Sequence, residues 1–195
     1  MPPQPFLPLM RTRPSEKRDR LLLAGTLLSA ALFIALCARL DIPMVPVPMS
    51  MQTYAVLLIG GLAGWRLAGA TLGLYLLAGG AGLPVFAGGA GGPEHLTGPT
   101  AGYLLGFLLA AMLVGWLAEK GYTTTTVRST LTMALGHLLI LGLGTAWLAA
   151  RIGGTAAYEN GFQPFLLGGL AKSLLVALTI SLWGHLRYRE HEKQG

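Results

Sequence analysis

Six apolar runs occupy residues 21–38, 51–65, 67–82, 100–118, 129–150 and 164–184, and Lys172 is the single charged side chain inside them. A helix needs about 20 apolar residues to cross the roughly 30 Å hydrocarbon core of a bilayer. Four of the runs reach that range; the second and third fall short of it and require tilt or local thinning. Apolar residues make up 53% of the 195 and charged residues 11%, against about 25% charged in a soluble domain. Most of the surface therefore faces something other than water. The chain reads as an all-α membrane protein of six transmembrane helices with irregular Gly/Pro-rich outer loops. Residues 1–20 form a basic cytoplasmic tail, 21–184 the transmembrane substrate-binding domain, and 185–195 a charged cytoplasmic tail. The first run is long for a signal-peptide core and no A-x-A site follows it, so it is expected to be a retained helix.

Basic residues fix the expected orientation. All but Arg39, Arg151 and Lys172 of the fourteen lysines and arginines fall on the side of the N-terminal tail. They lie in that tail, at Arg66, in the linker with Lys120 and Arg128, and at the C-terminus. Retention of such residues on the inner side predicts a multi-pass protein of the cell membrane with both termini cytoplasmic. The net charge of +6 is thus a topology signal. Nucleic-acid binding would need a basic stripe interleaved with aromatics, and none is present. Cys37 alone builds no disulfide or cysteine zinc cage. No GxxxxGK[ST] segment occurs, so the chain does not energise transport itself. Catalysis within the bilayer would need converging acids, nucleophiles or metal ligands, and only Lys172 and His137 lie there. No catalytic residue, metal site or cofactor is expected.

The loops point to a ligand. Residues 78–93 combine glycines with Pro84-Val-Phe86, an apolar trio that would not stay solvated comfortably. Irregular backbone at membrane depth is tolerated where it lines a cavity. Lys172 lies about 12 Å into the sixth run at 1.5 Å per residue, where an ammonium costs about 2.5–3.5 kcal/mol and should face the bundle interior. Gly168 and Gly169 share its helix face and would let a ligand approach the backbone beside it. Gln52 and Thr53 either bond a solute or cap the second helix; Tyr75 and Tyr103 either line a pocket or anchor the interface. His137 is expected to be packed and hydrogen-bonded. Gly102, Gly106 and Ala110 form a small-residue stripe for helix contact, and Ala31 and Ala35 a similar pair.

Four blocks carry a resemblance. Val47-Pro-Met-Ser-Met-Gln-Thr53, the run from Tyr75 to Gly89, Gly98-Pro-Thr-Ala-Gly-Tyr103 and Pro164-Phe-Leu-Leu-Gly-Gly-Leu-Ala-Lys172 stand in the order of the biotin transporter S component, the BioY family. The resemblance covers residues 20–185. It implies a six-helix subunit that captures biotin from outside for an energy-coupling factor (ECF) transporter. Its partners would be a transmembrane coupling subunit, docking at Ala31 and Ala35, and a pair of ATPases. The expected ligand contacts on the second to fourth runs and their loops are Gln52, Tyr75, Phe86, Thr100 and Tyr103, with Gly88, Gly89 and Gly91. Gly169 and Lys172 complete the set on the sixth. The family's sixth-helix block usually reads Gly-Asp-x-x-Lys; here Gly169 stands at the acid's position while Lys172 is kept. That removes an acceptor for ureido N–H groups. Either the ligand's own carboxylate neutralises the ammonium, or another vitamin-like anion is preferred.

Overall fold

A computed structural model describes residues 17–192, with side chains over 18–185. The tail residues Arg11, Arg13 and Lys193 lie outside the described residues. The chain forms α1 (Lys17–Ala38), a two-residue hairpin of β1 (Asp41–Ile42) and β2 (Met49–Ser50), then α2 (Gln52–Ala63) and α3 (Trp65–Gly80). It continues with α4 (Pro93–Thr97), α5 (Ala101–Glu119), α6 (Thr126–Ile152), α7 (Gly154–Ala157) and α8 (Gln163–Glu192). The expected helices are present to within a few residues. The helix starting at Lys17 takes in the last residues of the expected basic tail, and α8 runs on through most of the expected charged one. The stretch expected as a loop at 151–163 is helical: α7 and a π-helical turn at Tyr158–Phe162 lead straight into α8.

Four helical segments among the described residues are long and apolar enough to cross a bilayer: Arg18–Ala38, Ala101–Glu119, Thr126–Ile152 and Gly154–His185. The 12 residues of α2 and 16 of α3 span about 18 and 24 Å. They form an antiparallel hairpin that turns at Gly64, whose φ of 80° suits glycine. Glu119 at the end of α5 accepts the Trp65 N–H at 3.2 Å there, satisfying one donor that every helix start leaves open.

Small residues set the helix spacing. A Cβ on Gly106 would sit 3.0 Å from the Ile140 Cα, and one on Gly60 would sit 2.8 Å from the Ala111 carbonyl oxygen. Gly102 and Gly106 of the stripe thus pack α5 on α6, Ala110 is fully buried, and Gly60 seats α2 against Ala111 of α5. Directions alternate: α6 runs back along α5, and α8 back along α6, with Thr126 bonding Ser181 at one end and His137 meeting Ser173 nearer the other. One end of the bundle carries the 41–50 hairpin and the 81–100 loop. The opposite end carries the start of α1, the Gly64 turn, the 120–125 linker and the end of α8. Tryptophans mark both ends, with Lys120 over Trp116 at 3.7 Å and Arg151 over Trp147 at 5.4 Å, as interfacial rings do.

Replacing Gly60 by alanine should cost about 1–3 kcal/mol, because the obstructing atom is backbone and cannot rotate away. Gly142→Ala, where nothing lies within 4 Å, should leave stability unchanged or raised. Thermal unfolding in detergent compares the two; equal losses would contradict the packing described.

Candidate ligand-binding site

A cavity of about 410 Å³ opens beneath the 41–50 hairpin and the 81–100 loop. Its walls come from the start of α2, from α5, α6 and α8, from residues 46–48 and Ser50 of the hairpin, and from residues 86, 87, 90, 94, 95 and 98–100. The expectation that Tyr75 of the third run lines the pocket is corrected: α3 contributes no lining residue. The reason is that Tyr75 of α3 is spent behind the wall. It is 1% exposed; Gln52 Nε2 donates to its hydroxyl, which donates in turn to the Val85 carbonyl at 2.9 Å. Tyr75 therefore supports Gln52 and the loop.

Of the expected ligand contacts, Gln52, Phe86, Thr100, Tyr103 and Lys172 line the cavity. Tyr75, Gly88, Gly89, Gly91 and Gly169 do not. Gly88 and Gly89 have φ of 67° and 76° and make the tight turn that lets the Phe86 N–H reach the Ala90 carbonyl at 2.9 Å. Gly91 packs against the Leu83 carbonyl with no space for a side chain. These glycines shape the loop, and the alanines beside them, Ala87 and Ala90, line the cavity. The backbone beside Lys172 is also taken: a Cβ on Gly168 would meet the Met49 sulfur at 3.1 Å and one on Gly169 the His137 ring at 3.3 Å. Ala31 and Ala35 of α1 sit partly buried against the chain's own core.

Lys172 turns inward, as an intramembrane ammonium should. Nζ donates to the Ser50 carbonyl at 2.7 Å and to Thr53 Oγ1 at 3.3 Å. An ammonium has three protons, so one donor remains for the cavity. No carboxylate pairs with it among the described residues. Beside it α2 begins, its first N–H, that of Gln52, donating to Ser50 Oγ at 3.3 Å. The helix start and the ammonium bring positive potential to the same wall, which suits an acceptor oxygen or an anion. The rest of the lining is mainly apolar and aromatic: Phe107, Ile140, Leu141 and Phe165, the last 6.3 Å from the Tyr103 ring. At the rim stand Glu94 and His95 on α4, with His95 tilted against Phe86 at 6.1 Å.

The loop over the cavity is fastened from two sides. Arg39 at the end of α1 donates to the Pro84 carbonyl at 2.8 Å. From α6, Trp147 Nε1 donates to the Gly98 carbonyl at 2.9 Å and Arg151 to the Thr97 carbonyl. Sequence reasoning missed the rim pair and most of the apolar lining. Helices that are apolar all round give no periodic sign of which face meets lipid and which a cavity. A signal existed for Phe107, one turn along from Tyr103, and for Leu104, one turn along from Thr100.

Known proteins place this arrangement. The chain matches the BioY family over residues 12–188. It is 38% identical over 151 residues to biotin transporter BioY2 of Lactococcus lactis subsp. cremoris, covering 76% of this chain and 82% of that one. It is 36% identical over 160 residues to biotin transporter BioY of Thermotoga maritima, covering 80% and 93%. The crystal structure of the S-component for biotin from an ECF-type ABC transporter superposes with a TM-score of 0.74 at 24% identity, over 92% of this chain and 95% of that one. That likeness extends the family's fold to this bundle. The chain belongs to the BioY family.

Proposed function

We propose that this protein captures biotin from the outer face of the cell membrane, as the substrate-specific subunit of an ECF-type uptake transporter. The observation that carries the reading is the inward ammonium of Lys172, with a proton to spare, on the wall of a mainly apolar cavity. Biotin offers a bicyclic body for the aromatic and aliphatic lining and oxygens for the ammonium. About 410 Å³ falls within the roughly 300–1,000 Å³ of small-molecule sites. The names of the family relatives, biotin transporters, agree with this chemistry.

Orientation follows from charge. Arg18, Arg20, Arg66, Lys120 and Arg128 gather at the end opposite the cavity, where the described chain begins and ends. That end is read as cytoplasmic, so the cavity opens outward and six helices cross the membrane, with α2 and α3 reaching partway and irregular loops completing their depth. The 195 residues hold no P-loop, so ATPase partners and a transmembrane coupling subunit supply the energy. Ala31 and Ala35 lie at the edge of the exposed stripe Leu28, Leu32 and Leu36 of α1, where a coupling helix would dock. A second reading, capture of another small vitamin-like anion, is favoured by Gly169 in place of the family's acid.

Titration of purified protein with biotin should give saturable binding at micromolar ligand or below. Lys172→Ala, which loses a charge-assisted hydrogen bond, should weaken it by roughly ten- to a hundred-fold. Saturable binding of a different vitamin alone would select the second reading; a Lys172→Ala variant that binds as well as the parent would reject the site. Topology is checked in a Cys37→Ser background. A cysteine at Val45 should react with membrane-impermeant maleimide on intact cells, and one at Thr124 only after the cells are opened. The reverse pattern would invert the orientation.

A further inference from the structure

The cavity lining carries one charge of each sign, and free biotin has a use for only one of them. Lys172 is the cation and Glu94 the anion. Lys172, Ile140 and Leu141 lie about two to three helical turns in from the loop-bearing ends of α8 and α6, and they form the floor. Glu94 belongs to α4, in the loop over the cavity, and stands at the mouth. Its side chain is 67% exposed, so it meets a ligand as the ligand enters.

The carboxylate keeps its charge there. It occupies the space over Gly92 where a Cβ would be, and its ion-pair neighbour among the described residues is the His95 imidazole, with Nδ1 3.5 Å from Oε1. No lysine or arginine pairs with it among those residues. Arg39 and Arg151 hold the same loop through its carbonyls, but neither lines the cavity. Over the whole loop-bearing end, Asp41, Glu94 and Glu159 stand against those two arginines. An anionic ligand therefore meets a carboxylate at the entrance, and the attraction of Lys172 begins only farther in.

We propose that the site also takes amides of biotin whose tail ends in an ammonium, and takes them in preference to free biotin. The bicyclic body sits on the apolar floor with its ureido oxygen toward Lys172, and the acyl tail leaves through the mouth. A neutral ureido oxygen is cheaper to strip of water at that depth than a carboxylate. At the mouth a carboxylate tail stands against Glu94, whereas an ammonium tail pairs with it. Glu94 is then a specificity-determining residue. The inference rests on the biotin reading and extends the ligand class of the same site.

The test titrates the whole chain in detergent, at low salt, with biotin, with neutral biotinamide and with the amide of biotin and an alkyl diamine. The diamine amide should bind about three- to tenfold more tightly than biotin, the scale of an exposed ion pair replacing a like-charge contact. High salt should shrink that ratio. In Glu94→Gln the preference should vanish, and in Glu94→Lys it should reverse; biotinamide reports whether each variant still holds its cavity. A diamine amide that binds the parent no better than biotin overturns the inference, and so does a preference that Glu94→Gln leaves in place. If both variants lose biotinamide binding, the ratio in the parent and its salt dependence decide alone. Biotin binding without the preference removes only this inference; binding of none of the three ligands removes the functional reading and this with it.

Discussion

An ammonium placed within a bilayer must be given oxygen to bond, and in this protein it takes that oxygen from the chain's own irregular backbone. Lys172 reaches from the middle of a full-length helix to the Ser50 carbonyl, the last residue of β2, and to Thr53 in the first turn of α2. The contact joins α8 to the hairpin over the cavity and so defines one wall of the site. It also leaves the charge unneutralised, because both partners are neutral. A carboxylate in contact would have quenched the potential; a carbonyl and a hydroxyl solvate the cation and let its field extend into the cavity. The start of α2 adds to that field. The same atoms that make the lysine affordable in lipid keep it available to a ligand.

Support behind the wall follows the same economy of hydrogen bonds. The Tyr75 hydroxyl receives from Gln52 and gives to Val85, linking α2 to the loop through α3. Phe86, set edge-on to Tyr75 at 5.6 Å, then fills the space beside Gly79. A tyrosine that the sequence allows as a lining group thus becomes a strut, and the glutamine it holds becomes the lining group in its stead.

How much of this was legible in the sequence depends on which physical signal each feature left. Helix positions were legible because lipid demands long uncharged runs, and Lys172 stood out because it alone breaks them. Gln52, Phe86, Thr100 and Tyr103 were found through the blocks that surround them. The glycines misled for a physical reason. Gly88, Gly89 and Gly91 were read as backbone open to a ligand, yet their conformations turn the loop so that its N–H groups bond inward. Gly168 and Gly169 share the lysine's face as expected, but Met49 and His137 occupy the space they leave. Spacing along a helix says which residues share a side; it does not say what another helix places against them. The lining residues Ile140, Leu141 and Phe165 were invisible for the opposite reason, since a leucine facing a cavity and one facing lipid are the same letter in an apolar run.

The two short helices explain why a site exists at this depth. With α2 and α3 at about 18 and 24 Å, part of a roughly 30 Å hydrocarbon core must be filled by chain that is not helical. Such backbone exposes carbonyls that water would otherwise satisfy. Tyr75 meets one of them from behind the wall, at Val85, and four donors from the longer helices meet others: Arg39 at Pro84, Arg151 at Thr97, Trp147 at Gly98 and Lys172 at Ser50. Each comes from the end or the body of α1, α6 or α8, the helices long enough to frame the gap. Three of these donors act at the loop-bearing end of the bundle, where headgroups and water also help. Lys172 acts deepest, where nothing else is at hand, and it is also the donor that lines the cavity. Shortening two helices opens the space, and the donor needed to keep that space folded is the one that gives it a chemical preference.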